Sequence, residues 1–582
     1  MTQPLSAPVM RTRREGAASH HTVGALHRSV WTIVAIAMSV VWFALLDVRK
    51  LQHPDEGRYA EIAREMLASD DWVTPRLNGL KYFEKPPLQY WLTAASYKAF
   101  GVDEWTARLP AALAGWLAVF IVGYAGMRIA SPAAGAYAGV VLAGMVWHFG
   151  IAHMLTLDAT LSFWLGGALA AFLVAQRAAA PPREHRAFML IAWVAIAGAV
   201  MTKGLVGLVI PGGSLVIYSL CTRDFALWRR LELAWGALLL VALTAPWFAV
   251  VSNRNPEFAQ FFFIHEHFQR FLTTTHRRTG GWWYFIPLLV VGLLPWLGMF
   301  ALAALRGWRD APRDANGFSW LRFCLVWIAF VFVFFSLSGS KLPSYILPLF
   351  PAAALVVGWQ VVRTPQPTLF HLAWPLAAGA CILLILTLAF FGALVVRIAD
   401  ARTPAIVYAG LFPYVVAAVV CASVGYSLSA LAFRRGGEAR RSWGIIGLSL
   451  ATMLTLQIAF YGNDAFRLTR SAADLVTVLQ NETTPRYDRS APVFQVGAYD
   501  QTFPFYLRQT STLVAFRDEL SLGLDAEPQR GIARLDDWIA LWRGLPQGYA
   551  LMGQDTLDTL AARGVPYRIV TRDPRRVLIA RQ

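Results

Sequence analysis

VWTIVAIAMSVVWFALLDV, residues 30–48, is followed after four residues by HPDEGRYAEIAREM at 53–66 and then by YFEKPPLQYW at 82–91. The first stretch is long enough to cross a bilayer as a helix. The next two are dense in carboxylates and cations, which hydrocarbon does not tolerate unless they face water, a protein cavity or the interface. The apolar run is longer than the core of a secretory signal and lacks a small-residue cleavage site. Residues 1–29 carry Arg11, Arg13, Arg14 and Arg28. The reading is a retained first helix with its N-terminus in the cytoplasm, opening into a polar loop on the other side.

Outward from that stretch the apolar texture recurs. With 57% of its 582 residues hydrophobic and 15% charged, and a mean hydropathy of +0.47, the chain is too apolar for a soluble protein of its size. Runs of spanning length fall at 30–48, 109–127, 133–151, 157–176, 188–202, 204–221, 233–251, 282–305, 321–338, 345–362, 371–396, 407–433 and 442–461. They predict an α-helical polytopic membrane protein of about thirteen transmembrane helices. The positive-inside rule checks the count. Arg128, then Arg177, Arg183 and Arg186, then Arg223, Arg229 and Arg230, then Arg306, Arg309 and Arg313, then Arg363, and finally Arg434, Arg435, Arg440 and Arg441 all fall at turns on the side of the N-terminus. The loops left for the other side, at 49–108, 152–156, 203, 252–281, 338–344 and 397–406, hold most of the isolated polar residues. A set scattered in sequence thus becomes one extracytoplasmic surface. The net charge of +17 follows from this topology and points to anionic lipid. With no basic and aromatic recognition motif, nucleic acid is not an expected partner. Cys221, Cys324, Cys381 and Cys421 lie in or beside apolar runs without metal-knuckle spacing, so neither disulfides nor a cysteine metal site is expected.

Composition changes near residue 463. Residues 464–582 are polar and Arg-rich, with β-like runs at Val493–Val496, Tyr549–Met552, Tyr567–Val570 and Val577–Ala580 and a helical stretch at Leu535–Trp542. This predicts a soluble α/β domain after a membrane domain spanning 30–463. An odd number of crossings puts it on the side of the polar loops.

In the first loop Tyr59, Ile62, Ala63, Met66 and Leu67 recur at helical spacing, while Arg58, Glu61, Arg64 and Glu65 fill the other face. An amphipathic helix in the membrane interface, charges toward water, is the expectation. Asp55 stands at its start, where it either caps the helix or does chemistry. Glu84 and Lys85 precede Pro86 and Pro87 on an extended segment leading into a second interfacial helix, 88–99. This pair suits an anionic headgroup, or is a simple interfacial salt bridge. Asp158 in HMLTLDA opens a crossing, where a lone acid is a helix-end residue or faces a polar cavity. Lys203 in TKG and Lys341 in SGSKLPSY, with Tyr345 four residues on, either snorkel or meet a ligand that the adjacent glycines let approach. FFFIHEHFQRF at 261–271 supplies His265, His267 and Arg270. The two histidines converge in an extended segment, and with Glu84 they form a candidate set for zinc or a similar divalent ion, against ordinary interfacial histidines.

The ordered set PDEGRYAEIAREM, YFEKPPLQYW, LDA, TKG, HFQRF and SKLPSYILP resembles the lipid A 4-amino-4-deoxy-L-arabinose transferases, the polymyxin-resistance branch of the membrane glycosyltransferases with the C-type fold, over roughly residues 30–360. The resemblance implies an inner-membrane enzyme with a periplasmic active site that moves aminoarabinose from undecaprenyl phosphate to lipid A phosphate. It implies Asp55 and Asp158 as the functional acids, Glu84 and Lys85 as a second outer motif, and Lys203, Arg270, Lys341 and Tyr345 as the polar lining of the donor cavity. Relatives using other polyprenyl-linked sugars share the Asp-Glu loop, so a mannosyl or other transferase acting on protein or glycan is the alternative. The donor's own phosphodiester supplies the leaving group, so no nucleotide is required. The acceptor phosphate is already ionised, so little general-base help is needed. A lipid or solute transporter fits less well, since no repeated halves are visible and the ionisable residues collect at one face.

Overall fold

The computed structural model describes residues 22–23, 26–263, 280–482 and 486–581. Among these residues nine helices are long and apolar enough to cross a membrane, or eleven if each of two bent pairs is one span. Two shorter apolar helices, Arg28–Phe43 and Val206–Thr222, stand at the remaining runs. Each apolar run therefore coincides with helix, though not always straight helix. The 133–151 run bends by 59° between Pro132–Ala143 and Val146–Ala152, and the 282–305 run by 109° between Phe285–Gly292 and Leu297–Asp310. The second bend corrects the expectation of one straight crossing. Pro295 lies in the break, where it has no N–H to donate.

Burial sorts the spans. Leu157–Ala175 and Pro343–Arg363 are each 83% buried over their most apolar stretch, whereas Gln366–Ile398 is 11% buried. The first two are the centre of the bundle, and the last presents its apolar side chains outward as a lipid-facing helix does. Lipid tails are as apolar as leucine, so helices associate through close packing of small residues. Gly135 shows this: a Cβ there would lie 2.2 Å from the Met127 amide nitrogen on the neighbouring helix.

After Asn463, where the last long helix ends, the chain forms a six-stranded sheet in the order 531–532, 512–514, 493–496, 549–552, 577–580, 568–572. The first four strands run parallel, and Val577–Ala580 is antiparallel to both of its neighbours. Successive residues of the central strands go to opposite cores: Phe494, Ala550, Met552 and Ile579 pack with Trp538 and Trp542, while Val493, Tyr549, Leu551 and Leu578 pack with Leu475, Phe503 and Leu507. Helices cover both faces, which is why these strands read as unbroken apolar runs.

The domain is docked onto the first polar loop. The Asn78 side chain donates to Ser511 O at 2.7 Å and accepts from the Ser511 amide at 2.8 Å. The Leu51 amide donates to the Tyr506 hydroxyl at 2.8 Å, and Arg76 pairs with Glu527 at 2.9 Å. At Gly57 a Cβ would come within 2.8 Å of three atoms of Gln501 and Thr502, two of them backbone. The amphipathic helix forms as Asp55–Ser69, but its charged face does not turn to water: Glu56, Arg58, Glu61 and Glu65 are all buried. Glu61 is gripped by Arg64 at 2.6 and 2.7 Å. The expectation of solvating charges fails because partners close over the face: Glu56 meets Arg49 and Arg108, Arg58 meets Glu519 of the C-terminal domain, and Glu61 meets Arg64 of the helix itself.

Candidate active site

Leu157–Ala175 begins, and Pro182–Lys203 ends, at the same end of the bundle. This brings Asp158 and Lys203 into contact, the Lys203 ammonium donating to Asp158 Oδ1. The other carboxylate oxygen accepts from Ser344 Oγ at 2.7 Å. The Lys203 nitrogen also stands 4.5 Å from the centre of the Tyr345 ring, a cation over the negative face of a π system. Three positions more than a hundred residues apart at the extremes, Asp158, Lys203 and Tyr345, thus form one assembly at the mouth of the two most buried spans. With both its oxygens engaged, Asp158 is positioned to hold Lys203 rather than to act as a free base. Lys341, buried, donates to Ser338 O at 2.5 Å and closes the SGSK turn on itself just before Tyr345.

The first loop packs against this assembly. Arg58, with a side chain 6% exposed, pairs with Asp55 at 2.8 Å and, from its other terminal nitrogen, with Glu519 of the C-terminal domain. Asp55 is the open member, its side chain 39% exposed. Burial, reinforced by the Asp55 carboxylate, pushes the Tyr59 phenol well above its ordinary range, and burial likewise raises Tyr82 against the pull of Arg58. Both remain O–H donors at any working pH. Burial also raises the Glu519 carboxyl, with Arg58 drawing it back. Lys85 donates to the Glu84 carbonyl at 2.6 Å and lies 4.0 Å from its carboxylate. The loop and the bundle meet along 83–91: Phe83 packs with Met201, two residues before Lys203, the Tyr59 and Tyr90 rings lie 6.1 Å apart, and Thr160 donates to Gln89 at 2.5 Å.

Beneath this lies a buried ion cluster centred on Glu56. Glu56 is bound by Arg49 through two 3.0 Å contacts and by Arg108 at 2.8 and 3.1 Å. Burial by itself raises a carboxyl; here Arg108 and Arg49 outweigh it and hold Glu56 at about 2. Glu56 also accepts from the Leu155 amide at 3.3 Å, which ties the start of the Asp55 helix to the segment leading into Asp158. A buried guanidinium pair around one carboxylate is a rigid joint. Its signals in sequence were Arg49 and Arg108, cations directly beside the apolar runs 30–48 and 109–127.

His265, His267 and Arg270 lie outside the described residues. Among the described residues no three His, Cys, Asp or Glu side chains converge as a metal site.

A family model described as dolichyl-phosphate-mannose-protein mannosyltransferase matches residues 29–308, and one described as aminoarabinose transferase C-terminal domain matches 478–581. The second match gives the tail a family signal that its sequence alone did not show. The undecaprenyl phosphate-α-4-amino-4-deoxy-L-arabinose arabinosyl transferase of Edwardsiella ictaluri is 32% identical over 334 residues, 56% of this chain and 59% of that relative. That of Aeromonas salmonicida is 33% identical over 321 residues, 54% of this chain and 57% of the relative. The chain thus spans under two thirds of the length of these curated relatives. The crystal structure of ArnT from Cupriavidus metallidurans bound to undecaprenyl phosphate is similar over 95% of this chain and 98% of that one, with a TM-score of 0.88 and 37% identity; its apo form gives 0.86. Since that likeness runs through bundle, first loop and C-terminal sheet alike, the chain belongs to the ArnT family of aminoarabinose transferases.

Proposed function

We propose that this protein transfers 4-amino-4-deoxy-L-arabinose from undecaprenyl phosphate to a phosphate of lipid A, at the periplasmic face of the bacterial inner membrane. The observation that carries the reading is the joining of Asp158, Lys203, Ser344 and Tyr345, tied through Phe83, Gln89 and Tyr90 to the loop that carries Asp55, Tyr59 and Lys85, in a chain whose relatives are named for this reaction and one of which is held with undecaprenyl phosphate. The periplasmic assignment rests on the arginines collected at the other end of the bundle.

An oxygen of the acceptor phosphate attacks the anomeric carbon. The bond from that carbon to the polyprenyl phosphate oxygen breaks, and its electron pair leaves with undecaprenyl phosphate. In-line displacement inverts the anomeric centre. No proton must be removed from the nucleophile. The demand is instead for cations against the leaving phosphate, a role that suits Lys85, Lys203, Lys341 and Arg270, with a phenol donor alongside. The open Asp55 carboxylate faces the opposite task, holding the sugar's 4-ammonium group and the positive charge that develops at the ring. A divalent ion held by Glu84, His265 and His267 would lower the repulsion between these acids and two phosphates. The product carries an added ammonium group, and cationic lipid A of this kind repels polymyxin.

The test is an assay of the purified protein with aminoarabinosyl undecaprenyl phosphate and lipid A, read as the mass gain of lipid A. Transfer is expected with this donor and not with mannosyl undecaprenyl phosphate. Equal rates with both sugars would overturn the assigned sugar, and no transfer from either would overturn the reaction.

A further inference from the structure

The C-terminal domain has no part in the chemistry just described, yet one of its side chains reaches the site. Glu519 contacts the terminal nitrogen of Arg58 that Asp55 does not use, and Gln501 holds Glu519 in turn at 2.6 Å. Arg58 is nearly closed off from solvent, and its Nε is buried without a hydrogen-bond partner, so its two terminal nitrogens carry the whole of its satisfaction. One terminal nitrogen serves Asp55 and the other serves Glu519. We infer that Glu519 is a positioning residue for the transfer reaction: by occupying half of the Arg58 guanidinium it keeps Arg58 from closing on Asp55, and so leaves the Asp55 carboxylate open to the sugar. This rests on the function proposed above, and it makes the C-terminal domain a working wall of the active site.

The physical ground is the geometry of the pair. A guanidinium prefers to meet a carboxylate through two parallel N–H bonds. The spacing of Asp55 and Arg58 on one helix, three residues apart, permits that closure. What prevents it is the competing carboxylate from residue 519, brought in by the seating of Gln501 and Thr502 against Gly57. Docking itself does not depend on Glu519, because the Asn78–Ser511, Leu51–Tyr506 and Arg76–Glu527 contacts hold the domain elsewhere.

Glu519→Gln tests this against Glu527→Gln, which removes a docking ion pair and leaves the Arg58 clamp in place. Both proteins should fold and keep the domain protected from protease. Glu519→Gln is expected to lower kcat about 10- to 100-fold with little change in KM for lipid A, with partial recovery in Glu519→Asp, while Glu527→Gln stays within about twofold of wild type. An equal fall in both variants, or wild-type turnover in Glu519→Gln, would overturn the inference. A readout independent of the sugar accompanies it: carbodiimide labelling of Asp55, followed by peptide mass spectrometry, should slow at least threefold in Glu519→Gln. Unchanged labelling sinks the clamp whatever donor the enzyme uses, whereas an inactive wild type with slowed labelling sinks only the proposed reaction.

Discussion

Replacing Asp158 by Asn keeps the shape of the side chain and removes the charge that holds Lys203. The two side chains are 10% and 14% exposed, so the pair is largely screened from water. Breaking such a pair from one side costs about 3–5 kcal/mol where nothing replaces the lost partner. Here the Tyr345 ring, 4.5 Å from the Lys203 nitrogen, retains roughly 1 kcal/mol of the attraction, and the asparagine oxygen can still accept. A loss of about 2–3 kcal/mol remains, which corresponds to roughly 30- to 150-fold in rate if Lys203 must be held against the leaving phosphate. Lys203→Gln should cost at least as much. The decisive measurement is the double variant in the lipid A transfer assay. If Asp158 works through Lys203, the double variant transfers no more slowly than Lys203→Gln alone, a coupling of about 2–3 kcal/mol. Independent losses that multiply in the double variant, or a wild-type rate in Asp158→Asn, would refute the reasoning.

Four further outcomes follow from the same contacts. Gly57→Ala places a methyl against the backbone of Gln501 and Thr502. It should cost about 3 kcal/mol and expose the chain near residue 463 to limited proteolysis. Glu56→Gln leaves two buried guanidiniums short of a charge, and thermal unfolding in detergent should shift by about 3–5 kcal/mol. Because Glu56 is held at about 2 in the folded protein, below its ordinary 4.5, its contribution is complete above pH 4.5 and is lost as the pH falls through about 2, so the gap between wild type and variant should narrow in acid. Glu65 behaves oppositely: burial, with Glu61 beside it, raises it from 4.5 to about 8. The folded protein therefore loses stability as pH rises from 4.5 through 8, and Glu65→Gln, which can still accept from the Gly79 amide, should melt higher than wild type at pH 9 and like it at pH 4. Metal analysis of the purified protein should find about one divalent ion per chain, lost in His265→Ala; metal-free wild type with full transfer activity would remove the ion from the scheme.

The membrane made most of the fold legible. Backbone groups in hydrocarbon must bond within their own helix, so a run of twenty apolar residues has little choice but to be helical. Where legibility failed, the cause was local. Pro110, Pro211, Pro246, Pro375 and Pro413 all sit inside intact helices, whereas Pro295 lies in a 109° break. Composition does not separate these cases, because proline removes a donor in all of them. In the C-terminal domain, Val493–Val496 and Tyr549–Met552 were readable as strands because helices bury both of their faces. Thr512–Val514 and Gly531–Ile532 are too short to carry any period.

The site divides along a related line. Asp158, Lys203 and Lys341 stood out because an ionisable residue beside an apolar run is expensive, and expense is visible one residue at a time. Arg58, Glu56 and Glu519 did not, since each lies among other charges where a charge calls for no explanation. Yet the structure closes over them: Glu56 and Arg58 are buried, and the Glu519 side chain is largely covered. Glu56 meets Arg108 fifty-two positions away, and Arg58 meets Glu519 at a separation of 461. A helical wheel cannot distinguish a charged face turned to water from one turned to a partner that arrives hundreds of residues later. The amphipathic pattern of 55–69 was therefore sound evidence for a helix and poor evidence for its surroundings. The discriminating sign was Gly57: in a solvated helix a glycine costs about 1 kcal/mol for nothing, and between Glu56 and Arg58 it is the opening through which the C-terminal domain is seated.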